Sequence, residues 1–210
     1  LLSNDAYSAF FSALFCLAAA VSTIVSRAYL ERREGQNEEY FLLLLLSTLG
    51  AVTLAYATHL ASLLLGLELM GVALYALIAY PDRGEMPLEA AIKYLILSGA
   101  ASATLLFGFA LLYASLGALD YVTIGERLLT GSSGHSTLLL CGAAMIFAGV
   151  AFKLSAAPFH MWTPDVYQGA PMPIAGFLAT VSKAAVFVAV LRWYLDSKQR
   201  HHGNHKEKHH

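Results

Sequence analysis

The feature that most constrains this chain is a series of apolar runs, each long enough to cross the hydrocarbon core of a bilayer. A spanning helix needs about 20 predominantly apolar residues at about 1.5 Å per residue. Runs of this length lie at residues 7–27, 40–58, 61–80, 88–117, 137–157 and 173–195. Because unpaired backbone groups are costly in lipid, such segments fold as helices. The pattern therefore predicts an all-α integral membrane protein with about six spanning helices.

The charged residues support this interpretation. They make up 13% of the chain, about half the share of an ordinary soluble domain, and they gather between the runs, as at residues 27–39. The formal net charge of −1 leaves no basic face for a phosphate backbone, so we expect no nucleic-acid partner. The expected surroundings are the lipid bilayer. Lysines and arginines show no clean bias between the two sides, so they predict no orientation.

Among the charged side chains inside the apolar runs, four stand out. Glu68 lies near the middle of the third run and Lys183 near the centre of the sixth. Lys153 lies toward the end of the fifth run, and Lys93 lies in the first turns of the fourth. A charge at the bilayer centre costs about 2.5–3.5 kcal/mol on insertion scales, so we expect these groups to face the bundle interior. Lys93 has an alternative, because a lysine near a helix end can extend to the interface.

Pro158 predicts a break in the fifth helix, about one turn after Lys153. Proline has no backbone donor, so it frees the carbonyl of Leu154 and breaks or kinks the helix. Irregular backbone at membrane depth is tolerated where it is packed in protein or lines a wet cavity. Two interpretations remain: a site that can hydrate beside an ionisable group, or a kink that serves packing alone.

Proton transfer is the chemistry that suits this set of residues. Burial favours the neutral form of a lysine. A carboxylate about 6 Å away would favour the ammonium form by about 2.8 kcal/mol at an effective dielectric of about 20. Moving that carboxylate away would release the proton. Glu68 and a buried lysine therefore make a candidate charge-pairing switch, although the sequence does not show whether they are close.

The densest motif of the chain lies at residues 152–173, where four prolines alternate with aromatic residues. Its central part, at residues 162–171, reads WTPDVYQGAP. This motif, with residues 177–183, resembles the broken seventh helix and the eighth helix of subunit N of bacterial respiratory complex I. Residues 59–69 and 88–98 resemble the fifth and sixth helices. The wider antiporter-like family shares the glutamate and the lysine before the break, whereas the central motif is characteristic of subunit N.

The resemblance implies proton-transfer roles for specific residues. Glu68 corresponds to the glutamate of the fifth helix, Lys153 to the lysine at the break, and Lys183 to the lysine of the eighth helix. Lys93 and His160 also match family positions, with less defined roles. The ring of His160 titrates in a useful pH range, but a histidine here could equally cap the broken helix by hydrogen bonding.

The resemblance also implies the biological setting. The expected function is that of a proton-translocating subunit of an NADH:quinone oxidoreductase, an enzyme whose redox chemistry lies in other subunits. No cofactor is expected in this chain, and quinone, NADH, FMN and iron–sulfur clusters are expected in partner subunits. The expected partners are other membrane subunits of complex I, and the expected location is the bacterial inner (cell) membrane as a multi-pass protein.

The chain is shorter than the family pattern implies. A full subunit N is expected to carry about fourteen spans around two inverted five-helix repeats. The 210 residues here hold one such repeat and the preceding helix. We therefore expect a fragment, one half of an inverted-repeat bundle, without the N-terminal helices and the C-terminal half.

Two other functions fit the residues. A subunit of a cation/proton antiporter or of a membrane-bound hydrogenase shares the broken helix and the buried lysines. A structural bundle would use the same charges only to pair with each other and fix the helix register. Separately, residues 198–210 contain five of the eight histidines, which we interpret as a hydrophilic tail or loop, with a metal-binding tract as the alternative.

Overall fold

The computed structural model describes residues 1–31, 38–80, 85–129 and 136–207. Within these ranges the chain is helical, with irregular connections and two isolated β-bridges. The helices are α1 (Ala6–Leu30), α2 (Glu38–Tyr56), α3 (Leu60–Ala79), α4 (Glu85–Leu116), α5 (Tyr121–Leu129), α6 (Ser136–Lys153), α7 (Trp162–Gly169), α8 (Met172–Phe177) and α9 (Lys183–Glu207). A π-helical turn, Leu178–Ser182, joins α8 to α9 without interruption.

Each predicted apolar run coincides with a helix, which confirms the all-α membrane fold. Five helical stretches are long and apolar enough to cross a bilayer: α1, α2, α3, α4 and the stretch Met172–Ser197. The remaining run forms a shorter apolar helix, Thr137–Lys153. The predicted end of this run at residue 157 was wrong by one turn, because the chain leaves the helix directly after Lys153. The predicted tail starts inside α9, which continues to Glu207, and residues 208–210 lie outside the described residues.

One end of the bundle is closed by short backbone contacts. The segment between α2 and α3 pairs with two other segments through isolated β-bridges: Ala57 bridges to Leu2, and His59 bridges to Asp120. The His59 ring also accepts a hydrogen bond from the Ala61 amide at 3.1 Å, which caps the start of α3. These contacts fix the heights at which α1, α3 and α5 begin.

The seam between α4 and α6 is built from small residues. A methyl group on Gly108 would lie 3.0 Å from the carbonyl oxygen of Gly142, and one on Gly142 would lie 3.1 Å from the carbonyl oxygen of Gly108. Further along, a methyl group on Gly149 would lie 3.1 Å from the Ala101 carbonyl oxygen. In lipid, close backbone approach of this kind supplies packing energy that apolar burial does not. The two helices run antiparallel, and α6 ends beside the middle of α4.

Candidate functional site

Lys153 is the last helical residue of α6, and its side chain points into the bundle. It is 7% exposed, and its Nζ donates a hydrogen bond to Ser98 Oγ on α4 at 2.6 Å. Ser98 itself is fully buried. It lies about 20 Å along α4 from Glu85, near the middle of that helix. The lysine that the sequence placed at the break is therefore buried, and its hydrogen-bond partner is a neutral hydroxyl.

The backbone after Lys153 leaves the helix through a tight irregular turn. The Ala156 amide donates to the Ala151 carbonyl at 2.8 Å, and Ser155 takes a left-handed conformation with φ of 56°. Pro158 then prevents the helix from resuming because it has no amide to donate. The next helix, α7, begins only at Trp162. The predicted break is present, and it directly follows the buried lysine.

Glu68 lies in the middle of α3 and is half buried. One carboxylate oxygen, Oε1, is buried and has no hydrogen-bond partner among the described residues. Within the same described ranges, no ion pair within 4.0 Å joins Glu68 to Lys153, although the charge of Glu68 acts on the lysine and on Tyr75 and Tyr94. Glu68 and Lys153 thus face the same interior without direct contact.

Lys183 begins α9, directly after the π-helical turn. It is half buried, and its Nζ lies 5.4 Å from the centroid of the Tyr167 ring, within the range of a cation–π interaction. The side chain of the preceding residue, Ser182, lies near the Tyr94 hydroxyl of α4. A π-helical turn inserts an extra residue per turn and changes the direction of the side chains that follow. Here it precedes the lysine that the sequence identified as the deepest.

Aromatic rings connect the surroundings of the two buried lysines. Tyr94 stacks on Trp162 with centroids 4.9 Å apart, and Trp162 stacks on Phe152, the neighbour of Lys153, at 5.3 Å. Tyr75 meets Tyr94 edge to face at 5.1 Å. These rings form an aromatic wall beside the break in α6, and the Tyr94 hydroxyl lies near Ser182, the residue before α9.

Lys93 lies apart from the buried set. Its Nζ pairs with Glu89 at 2.8 Å and with Asp165 of α7 at 3.3 Å, and its side chain is 46% exposed. It therefore joins α4 to α7 at the surface, and the interfacial alternative for this lysine matches its position. Asp165 lies in the first turn of α7.

His160 is exposed on the irregular segment before α7. Its backbone carbonyl accepts a hydrogen bond from the Thr163 amide at 3.0 Å. No side chain caps the start of α7, so the capping role considered for the His160 ring is not what the structure has. The structure does not bring this ring to Glu68, Lys153 or Lys183.

Polar atoms without a partner cluster around the break. Ser155 Oγ, Trp162 Nε1, Thr163 Oγ1 and Tyr167 Oη are buried and have no hydrogen-bond partner among the described residues. Glu68 Oε1 is likewise buried without a hydrogen-bond partner among these residues. Buried polar groups are nearly always paired, with protein or with ordered water. Among the described residues, no group of three or more His, Cys, Asp or Glu side chains is arranged to hold a metal ion.

One buried charge was not predicted from the sequence. Arg192 on α9 is 3% exposed, and it pairs with Asp5 at 2.7 Å and with Asp196 at 3.5 Å. It also donates to the Ala55 carbonyl at 2.9 Å and lies over the Tyr7 ring. An arginine near the end of an apolar run is expected to reach water, so the position of Arg192 did not predict its burial.

Asp5 is the partner that makes this cluster possible. It caps the start of α1 and accepts from the Ser8 amide at 2.8 Å. Burial raises the pKa of Asp5, but the hydrogen bonds from Ser8 and Arg192 outweigh this effect and leave the pKa below its ordinary value. The serine three residues after Asp5 was the available sequence signal for the cap.

Residues 57–204 match the family model described as NADH:quinone oxidoreductase/Mrp antiporter, transmembrane. The chain is 53% identical over 194 residues to NADH-quinone oxidoreductase subunit N of Methylococcus capsulatus, covering 92% of this chain and 39% of that protein.

Solved structures agree with the family match. A chain of respiratory complex I from Thermus thermophilus superposes with a TM-score of 0.74 at 37% identity, over 90% of this chain and 40% of that chain. A chain of an archaeal membrane-bound sulfane sulfur reductase superposes with a TM-score of 0.70 at 30% identity, over 84% of this chain and 37% of that chain. The chain thus spans about two fifths of the length of the relatives it matches.

Proposed function

Because the chain belongs to the family of transmembrane subunits of NADH:quinone oxidoreductases and Mrp antiporters, we propose that it is part of a proton-translocating subunit N of a respiratory complex I. The similarity to subunit N of Methylococcus capsulatus supports this choice within the family. In this proposal the membrane is the bacterial inner membrane. The partners are other membrane subunits of the complex, and quinone, NADH, FMN and iron–sulfur clusters belong to those partners.

The observation that carries the proposal is the pairing state of Lys153. A buried ammonium bonded to a neutral hydroxyl, with an unpartnered carboxylate oxygen on α3, is a charge arrangement with two available states. When Glu68 approaches the lysine, Coulomb attraction favours the ammonium form. When Glu68 moves away, burial favours release of the proton. Redox events in partner subunits would bias this equilibrium.

Lys183 would receive or supply the proton on the other side of the aromatic wall. Its ammonium lies over the Tyr167 ring, and no ion pair within 4.0 Å engages it in the described part of the chain. The unpartnered polar atoms of residues 155–167 would hold the water that carries protons between the two lysines. His160 and Lys93 lie at the exposed margin of this region, where we propose that they exchange protons with the surroundings.

The test uses the full-length protein that contains this chain, assembled in its native membrane. Lys153→Met and Glu68→Gln remove one charge each at similar side-chain size. We expect both to abolish proton pumping in inverted vesicles, measured with a pH-sensitive dye, because loss of a proton-transfer group typically costs about 100-fold or more. Glu85→Gln is the matched control, since it makes the same change at an exposed carboxylate at the start of α4.

The same vesicles distinguish the alternatives. Sodium flux in the absence of quinone turnover would favour a cation/proton antiporter, which the family description also includes. Unchanged pumping by Lys153→Met, with a lower assembly yield, would instead indicate a structural bundle and would refute the proposed function.

A further inference from the structure

The hydroxyl of Ser98 is the meeting point of two donors in the bundle interior. Lys153 Nζ donates to Ser98 Oγ at 2.6 Å, and the Tyr75 hydroxyl donates to the same oxygen at 2.7 Å. The three groups come from α6, α4 and α3, and Ser98 is fully buried. Three helices therefore converge on one side-chain oxygen at the break.

This geometry uses both acceptor positions of the serine oxygen. A serine hydroxyl has two lone pairs and one proton. With the lone pairs occupied by Lys153 and Tyr75, its own proton points elsewhere. A neutral lysine amine has a lone pair of its own, and the Ser98 hydroxyl can rotate to donate to it. Ser98 is thus able to bond the lysine nitrogen in both protonation states, which a carboxylate partner cannot do as evenly.

Tyr75 links this oxygen to the side of α3 that carries Glu68. The two residues are separated by seven positions, two helical turns, so they share one face at a spacing of about 10 Å. The charge of Glu68 acts on the Tyr75 hydroxyl as well as on Lys153. The ring of Tyr75 is held independently, by its edge-to-face contact with Tyr94.

From this convergence we propose that Ser98 is a positioning residue for Lys153. Supported by Tyr75, its hydroxyl holds the lysine nitrogen at the break in both protonation states, so that proton release follows the movement of Glu68 and not a movement of the lysine. The proposal rests on the proposed function, since it assigns a role within the same proton path. It adds two residues, Ser98 and Tyr75, that the charge pattern of the sequence did not identify.

The decisive variants are Ser98→Ala, Tyr75→Phe and the double variant, in the full-length protein within its native complex. We expect Ser98→Ala to lower the pumping rate by about 10- to 100-fold, the value of a lost hydrogen bond to a charged group. Tyr75→Phe acts only through the serine oxygen. It should therefore lower the rate by less, and the double variant should be no slower than Ser98→Ala. Ser98→Thr keeps the hydroxyl and should restore most of the rate.

Ser102→Ala is the matched control. It removes a serine hydroxyl one turn along α4, and Ser102 Oγ has no hydrogen-bond partner among the described residues. We expect its pumping rate to equal that of the parent. Assembly of each variant is measured by native gel electrophoresis, so that rates refer to intact complex.

The outcomes separate the two proposals. If Lys153→Met abolishes pumping while Ser98→Ala and Tyr75→Phe do not reduce it, the positioning role is wrong and the proposed function stands. Independent, multiplicative effects of Ser98→Ala and Tyr75→Phe would also overturn the positioning role, because the two hydroxyls would then act separately. If Lys153→Met leaves pumping intact, the proposed function itself fails. Should Ser98→Thr not assemble, Tyr75→Phe and the double variant still decide.

Discussion

Two glycines on α4 are expected to respond in opposite directions to the same substitution. A methyl group on Gly108 would lie 2.8 Å from Ile146 Cγ1, 3.0 Å from the Ile146 amide nitrogen and 3.0 Å from the Gly142 carbonyl oxygen. Two of these neighbours are backbone atoms of α6, which cannot rotate away. At Gly99 nothing lies within 4 Å of the added methyl group. Both glycines lie inside the same helix, so comparing the two substitutions separates the packing cost of the methyl group from the difference in helix propensity between glycine and alanine.

The magnitudes follow from these contacts. Replacing glycine by alanine inside a helix stabilises by about 0.5–1 kcal/mol. Forcing a methyl group into a packed backbone contact costs about 1–3 kcal/mol. We therefore expect Gly99→Ala to raise the free energy of unfolding by about 0.5–1 kcal/mol. Gly108→Ala should lower it by about 0.5–2 kcal/mol.

The assay is equilibrium unfolding in mixed detergent micelles, followed by circular dichroism, with parent and both variants side by side. The difference between the two variants equals the packing cost at the seam, about 1–3 kcal/mol, because the propensity change cancels. Equal shifts of the same sign in both variants would refute the close approach of α4 and α6. A loss of helix content in the folded baseline would show that the comparison is not between like states.

Three further predictions concern the buried polar contacts. Arg192→Met leaves Asp5 and Asp196 without their cation and should lower the free energy of unfolding by about 2 kcal/mol. This is less than the usual 3–5 kcal/mol for a broken buried pair, because Asp5 is 45% exposed; an unchanged unfolding midpoint would contradict it. Tyr40→Phe removes the buried hydrogen bond between the hydroxyls of Tyr40 and Ser26, which lie 2.8 Å apart, but keeps the ring. A loss of about 1 kcal/mol is therefore expected in the same titration, and a loss near zero would argue against the bond. The pKa of Asp5 lies below its ordinary value of 3.8, so its contact with Arg192 stabilises the fold above that pH. This stabilisation is lost as the pH falls through the lower pKa of the folded state. The difference in unfolding free energy between the parent and Asp5→Asn should therefore be constant from pH 7 to about pH 5 and shrink below about pH 4.

The helices were predictable because lipid imposes one simple requirement on the sequence. A run of apolar residues must form a helix that pairs its own backbone groups, so the runs locate the helices without any knowledge of packing. The break near Pro158 was predictable for the same reason, from a missing amide. The end of α6 at Lys153 was not, because it depends on the turn closed by the Ala156 amide on the Ala151 carbonyl, a local geometry that residue types alone do not specify.

The site was only partly predictable. Burial of Glu68, Lys153 and Lys183 followed from their depth in the apolar runs. Their partners did not follow, because each is distant in sequence: Ser98 is 55 residues from Lys153, and Asp5 is 187 residues from Arg192. Pairings of this kind arise from helix packing, which apolar periodicity in a membrane protein encodes weakly.

The seam of small residues and the buried lysine belong to one geometric arrangement. Along the antiparallel pair, Gly142 lies against Gly108, Gly149 against Leu105 and Ala101, and Lys153 against Ser98. The close contacts set the relative height of α4 and α6, and because α6 ends at Lys153, that height decides which residue of α4 meets its nitrogen. A shift of one turn, about 5.4 Å, would bring the lysine to Tyr94 or to Ser102 instead. The glycines far from any charge therefore determine the partner of the lysine, and packing at the seam and the proposed proton transfer at the break are expected to change together.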